Sequence, residues 1–173
     1  EAFKLSAIYV FGIMISVIVL GLLFAVLIDQ LKTRESGVFR TILFVPWIIP
    51  AFAAATVFIW MLNPLYGVIN SLAINLKIIS SPISWLGDPD TALITVMAGV
   101  SWRAYPFILI MVSAGFQSIP KILYEAADIN GANQWQKFFY IKLPHIRKIL
   151  ATASLMMFLM VANSINMIYI TTG

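Results

Sequence analysis

Residues 5–28 read LSAIYVFGIMISVIVLGLLFAVLI, a run without a single charged side chain. About 20 apolar residues are enough for a helix to cross the roughly 30 Å hydrocarbon layer of a bilayer, so this stretch predicts a spanning helix. Three further runs meet the same requirement. Residues 42–62 contain Pro46 and Pro50, residues 91–119 are interrupted by Arg103 and Pro106, and residues 149–170 carry Asn163 and Asn166. The expected fold is an all-α polytopic membrane protein, a bundle of transmembrane helices forming one domain over residues 1–173. The first run is too long for the apolar core of a signal peptide and has no basic start or small-residue cleavage site.

Composition agrees with lipid as the solvent. Of 173 residues, 61% are hydrophobic and 10% charged, against about 25% charged in a soluble domain. With no Cys and a single His, His145, the chain lacks the donors for a disulfide framework or a Cys/His metal cluster. The net charge of +4 does not point to nucleic acid, because the basic residues sit between long apolar runs and form no stripe.

The placement of those basic residues predicts orientation. Connector 29–41 holds Lys32, Arg34 and Arg40, and connector 120–148 holds Lys121, Lys137, Lys142, Arg147 and Lys148. Connector 63–90 holds Lys77 as its one basic residue, beside Asp88 and Asp90. The first two connectors are therefore expected in the cytoplasm and the third outside, which puts both chain ends outside; Lys4 pulls the other way. Connector 63–90 reads as a structured external loop, with turns at Asn63-Pro64 and Tyr66-Gly67, a short interfacial helix over 68–79, and Trp85 at the headgroups.

Connector 120–148 is patterned rather than passive. Ile119, Ile122, Leu123, Ala126 and Ala127 recur at the spacing of one helix face, while Lys121, Glu125 and Asp128 are directed elsewhere. Ser118 and Pro120 suit the helix start and Gly131 its end. A second short helix follows with Trp135, Phe138 and Phe139 on one side, closed by Leu143-Pro144. Periodicity alone fits an amphipathic helix on the membrane surface equally well.

The identities go further. Glu125-Ala126-Ala127, then Gly131-Ala132, then Ile141, Leu143 and Pro144 resemble the EAA loop of binding-protein-dependent ABC importer permeases, with every element at the family spacing. Phe39-Arg40-Thr41 with Pro46 and Pro50, Asn63-Pro64 with Tyr66-Gly67, Trp85 with Asp88-Pro89, Trp102 with Pro106-Phe107, and Ser118-Ile119-Pro120 are similar to the carbohydrate-uptake branch, the maltose and glycerol-phosphate type. The resemblance implies a type I ABC importer transmembrane domain of six or more spans, of which this sequence would be an excerpt lacking one or more initial spans and the last. It implies a bacterial or archaeal plasma membrane location. Expected partners are ABC ATPase subunits that bind the ATP and Mg, a second permease subunit in a heterodimer, and an extracytoplasmic solute-binding protein; the chain itself would hold no cofactor. Residues 120–148 would then form a cytoplasmic coupling loop, with Leu123, Glu125, Ala126, Ala127, Gly131, Trp135, Phe138, Leu143 and Pro144 meeting the ATPase.

A solute path is expected along 91–119 and 149–170. Arg103 lies about 12 residues into its run, roughly 18 Å deep. An ionisable group at that depth marks either a functional site or a charge paired with a carbonyl or with another subunit's acid. Pro106 removes a backbone donor and predicts a broken helix lining a cavity. Met156, Met160, Asn163 and Met167 share a face, with Asn166 a turn away, and amides are expected to point inward. Trp102, Tyr105 and Phe107 offer aromatic surface for a sugar ring, or else pack between helices. The resemblance places Ala104, Phe107 and Asn163 among cavity-lining positions. A membrane-embedded enzyme would need a nucleophile, an acid/base pair or a metal within the spans, and these runs supply Arg103 alone. A channel or assembly subunit would account for the spans and leave the patterned loop unexplained.

Overall fold

The computed structural model describes residues 2–31 and 33–162. Helix α1 (Ala2–Asp29) is the first predicted span. It packs along α5 (Pro89–Gln117), and α8 (Leu143–Ala162) completes the bundle, so that Ile13 and Val17, Ile108, Leu109 and Val112, and Ile146 and Met157 are fully buried together. Close approach depends on small residues, as is usual between membrane helices. A Cβ at Gly21 would stand 2.6 Å from the Ile108 Cβ, and one at Gly115 would stand 2.9 Å from the Ile146 Cγ2.

The second predicted span is not one helix. Helix α2 (Thr33–Ile48) already takes up most of the predicted connector 29–41, and α3 (Ala51–Met61) leaves it at 93°. The break falls at Ile49-Pro50. Proline disfavours the helical region for the residue before it and cannot donate to the helix behind it, and Pro50 instead caps α3 with an extended backbone. Pro46, by contrast, stays inside α2. Among the described residues, three helices are long and apolar enough to cross a membrane, or up to four spans if the bent pair counts as one.

The third span corrects the expectation attached to Pro106: α5 runs unbroken through it, with Pro106 itself fully buried. The fourth begins earlier than predicted. After α6 (Lys121–Ile129), helix α7 (Gln134–Lys137) continues through a π-helical turn (Phe138–Lys142) directly into α8, so Leu143-Pro144 ends nothing. The widened turn explains why. The Leu143 N–H reaches back five residues to the Phe138 carbonyl, which opens the room that the proline ring needs one position later. Ser118 likewise closes α5 rather than opening α6, its hydroxyl donating to the Gly115 carbonyl at 2.8 Å.

At the opposite end, α4 (Val68–Asn75) is shorter than the predicted 68–79, and Lys77 beyond it adopts φ 57°. Trp85 is held by the loop itself. Its indole N–H donates to Asn70 Oδ1 at 3.0 Å, while Asn70 also exchanges hydrogen bonds with the backbone N–H and C=O of Ile83 at 3.1 and 2.9 Å.

Candidate functional site

The spacing Glu-Ala-Ala, then Gly-Ala, has a local cause. Asn130 caps α6, Gly131 follows at φ 70°, the Gly131 N–H donates to Asp128 O at 3.0 Å and the Ala132 N–H to Ala127 O at 2.9 Å. This is the Schellman arrangement, in which the left-handed residue stands four positions after the one whose carbonyl closes the larger ring. Ala127 and Ala132 are the two positions that such a turn brings face to face. The next helix starts at once: Asn133 Oδ1 accepts from the Gln136 N–H, and Gln136 Oε1 accepts from the Asn133 N–H.

The reversal leaves an outward surface. Leu123, Glu125, Ala126 and Gly131 are exposed, Ala127, Phe138 and Leu143 half-buried, Pro144 exposed, and Trp135 is 73% exposed on top of Phe139. No residue of α6 is buried. Within α6 the predicted apolar face, Ile122, Leu123 and Ala126, thus turns outward, while Ile119 just before it joins the core; the helix is tied back by Asp128, expected off that face, and by Tyr124. Asp128 pairs with Lys137. Tyr124 packs against the core, and burial first, then the Asp29 carboxylate, push its phenol up to about 12.

One tie ends at Lys137, the last residue of α7, and the other at Lys142, the last residue of the π-helical turn. Lys137 and Lys142, at the two ends of that turn, are both buried. Lys142 Nζ donates to Asp29 Oδ2 at 2.6 Å and lies 5.3 Å from the Phe116 ring centroid and 5.9 Å from that of Tyr124. The last turn of α1, the end of α5 and the middle of α6 therefore meet at one ammonium group.

Deeper in the bundle, Arg103 meets the break in the second span. Its Nε donates to the Ile49 carbonyl at 3.2 Å, and its guanidinium carbon stands 6.0 Å from the Trp47 ring centroid. The carbonyl reading of Arg103 is thus realised for one of its donors. Phe107 stacks on Trp47 at 5.4 Å, Ala104 is buried, and the buried Tyr105 donates its hydroxyl to the Leu43 carbonyl at 3.1 Å. Trp102 is 39% exposed and lines, with Ser101, Tyr105 and Phe24, a cleft of about 540 Å³ between α1 and α5. Met156 and Met160 are exposed on α8. Asn163, Asn166 and Met167 lie outside the described residues.

The family described as binding-protein-dependent transport system inner membrane component matches residues 17–173. The trehalose/maltose transport system permease protein MalF of Thermococcus litoralis is 34% identical over 155 residues, covering 90% of this chain and 52% of that protein. The galactooligosaccharides transport system permease protein GanP of Bacillus subtilis is 31% identical, over 90% of this chain and 37% of its own length. The chain spans about half the length of such relatives, or less. In the crystal structure of a bacterial ABC transporter that imports the acidic polysaccharide alginate, one chain superposes over 100% of this one and 62% of itself, with a TM-score of 0.81 at 22% identity. That likeness speaks to the fold alone. The bundle, the glycine turn after α6 and the family match agree: the chain belongs to the inner membrane components of binding-protein-dependent transport systems.

Proposed function

We propose that this chain forms part of the solute path of an ATP-driven importer and receives its driving force through the segment from α6 to the start of α8. ATP and Mg bind the partner ATPase subunits and not this chain. A second permease subunit, forming a heterodimer, and an extracytoplasmic solute-binding protein complete the assembly. The basic end of the bundle faces the cytoplasm of a bacterial or archaeal cell. The carried solute is a sugar, an oligosaccharide, or a related polyol or sugar phosphate, a reading supported by the sugar transport named for MalF and GanP.

The observation that carries the coupling reading is the outward apolar face of α6, with Leu123 and Trp135 exposed beside the small Ala126 and Gly131. Large anchors flanked by small residues let a partner approach closely and seat in pockets, and Glu125 adds a directional charge that a basic site on the ATPase would read. Trp102, Arg103, Ala104, Tyr105, Phe107, Met160, Asn163 and Asn166 are proposed for the path. The test is reconstitution of the full permease with its partners in vesicles. Glu125→Lys and Gly131→Val are expected to keep membrane insertion but weaken ATPase attachment or the ATP turnover stimulated by loaded binding protein. Normal attachment and turnover in both would leave a channel or assembly subunit as the better reading.

A further inference from the structure

Taking α6 as the ATPase-docking helix, we infer that the Asp29–Lys142 pair is the joint through which movement of α6 reaches the spanning helix α1, and that Lys142 is a positioning residue for coupling. Lys142 occupies the variable position of the Ile-x-Leu-Pro element and is 6% exposed. Its ammonium stands 2.6 Å from the Asp29 carboxylate at the last residue of α1 and 5.9 Å from the Tyr124 ring of α6.

The route is narrow. α6 buries none of its own residues, so apart from its backbone links to α5 and α7, a displacement imposed on its outer face enters the bundle through the inner contacts of Tyr124 and Asp128. Asp128 leads to Lys137 and Tyr124 faces Lys142, and both lysines are buried. From Lys142, the contact that leaves the loop for a span with an ionic bond is the one to Asp29, which sits 113 positions earlier in the sequence. Phe116 at the end of α5 packs on the same ammonium, an apolar contact that can slide where the ion pair cannot. α1 in turn is locked to α5 at Gly21, so a pull on Asp29 moves the α1 end relative to a fixed point within the bundle.

The test uses the complete importer reconstituted with its ATPase and loaded binding protein. Asp29→Asn combined with Lys142→Gln removes both charges without leaving one unpaired, which spares folding. This double variant is expected to copurify with the ATPase as the unaltered protein does, while the stimulation of ATP turnover by loaded binding protein falls at least about fivefold. Lys142→Arg, which keeps the charge, is expected to retain at least about half of the stimulation. Normal stimulation in the neutral pair, loss of ATPase attachment in it, or a defect in Lys142→Arg as deep as in the neutral pair would each overturn the assignment. Glu125→Lys measured alongside tests docking itself: attachment unaffected by that change would sink the docking reading and leave the result for the pair standing on its own.

Discussion

The bundle carries a structured connector at each end, residues 63–90 and 120–148, and they are fastened by opposite chemistry. At one end a neutral amide, Asn70, 2% exposed, binds Ile83 and Trp85 within its own loop. At the other, two buried lysines bind acids of other helices, Lys137 to Asp128 of α6 within the connector and Lys142 to Asp29 of α1 outside it. A self-satisfied amide makes a loop rigid independently of the helices beneath it. Charges that reach between elements make each element's position depend on the others, and their loss leaves a lone charge behind. The first design suits a cover and the second suits a transmission.

The largest expected effect separates the two directly. Lys142→Met should strand Asp29 and cost about 3 kcal/mol, the lower end for a broken buried pair, because Asp29 keeps 32% of its side-chain exposure. Adding Asp29→Asn should return most of that loss. Denaturant or thermal unfolding in detergent reads both, and simple additivity would mean that the two groups do not act together.

Asn70→Ala should come next, at about 1–3 kcal/mol, by leaving the Ile83 backbone and the Trp85 indole unpaired. Its effect should stay local: proteolysis and hydrogen exchange should rise in 63–90 while ATP turnover coupled to the other end holds. Spread of the exchange to α1 or α8 would erase the contrast between the loops.

At Gly131 the expected cost is that of a left-handed residue, about 1–2 kcal/mol. A side chain there would meet nothing within 4 Å, so backbone strain acts alone. Gly131→Asn should therefore be tolerated far better than Gly131→Val, since Asn visits that conformation readily. Equal attachment of the ATPase to both variants would remove the turn geometry from the account.

The smallest effect is a titration. Because the Tyr124 phenol is raised from 10.0 to about 12, the fold favours its neutral form; that contribution is complete below pH 10 and is lost as pH rises toward 12. Tyr124→Phe should flatten this part of the stability profile and remove a late component of the phenolate absorbance change. An unchanged absorbance profile would place Tyr124 in water rather than against Lys142 and Asp29.

The sequence made the spans and the α6 turn legible because both are local: apolar length decides the one, and Ala127, Gly131 and Ala132 at fixed spacing decide the other. Three prolines show where local reading ends. Pro46 and Pro106 stay inside helices and Pro50 ends one, and the Ile49 carbonyl beside that break finds its donor in Arg103, 54 positions away. The Asp29–Lys142 contact was invisible for the same reason. Lys142 and Asp29 stand 113 positions apart, and no local pattern pairs them. Among the path residues, the sequence left Trp102, Tyr105 and Phe107 open between aromatic surface and helix packing; Tyr105 is buried and Phe107 half-buried against Trp47, leaving Trp102 as the most open of the three.

The bond between Arg103 and Ile49 also sets an order of events during synthesis. A ribosome adding about 5–20 residues per second releases Ile49 roughly 3–11 s before Arg103 exists. Throughout that interval the bend between α2 and α3 has no guanidinium donor for its carbonyl. The carbonyl at that bend therefore gains its partner only when α5 has been made, and the bond that joins the second span to the third closes last.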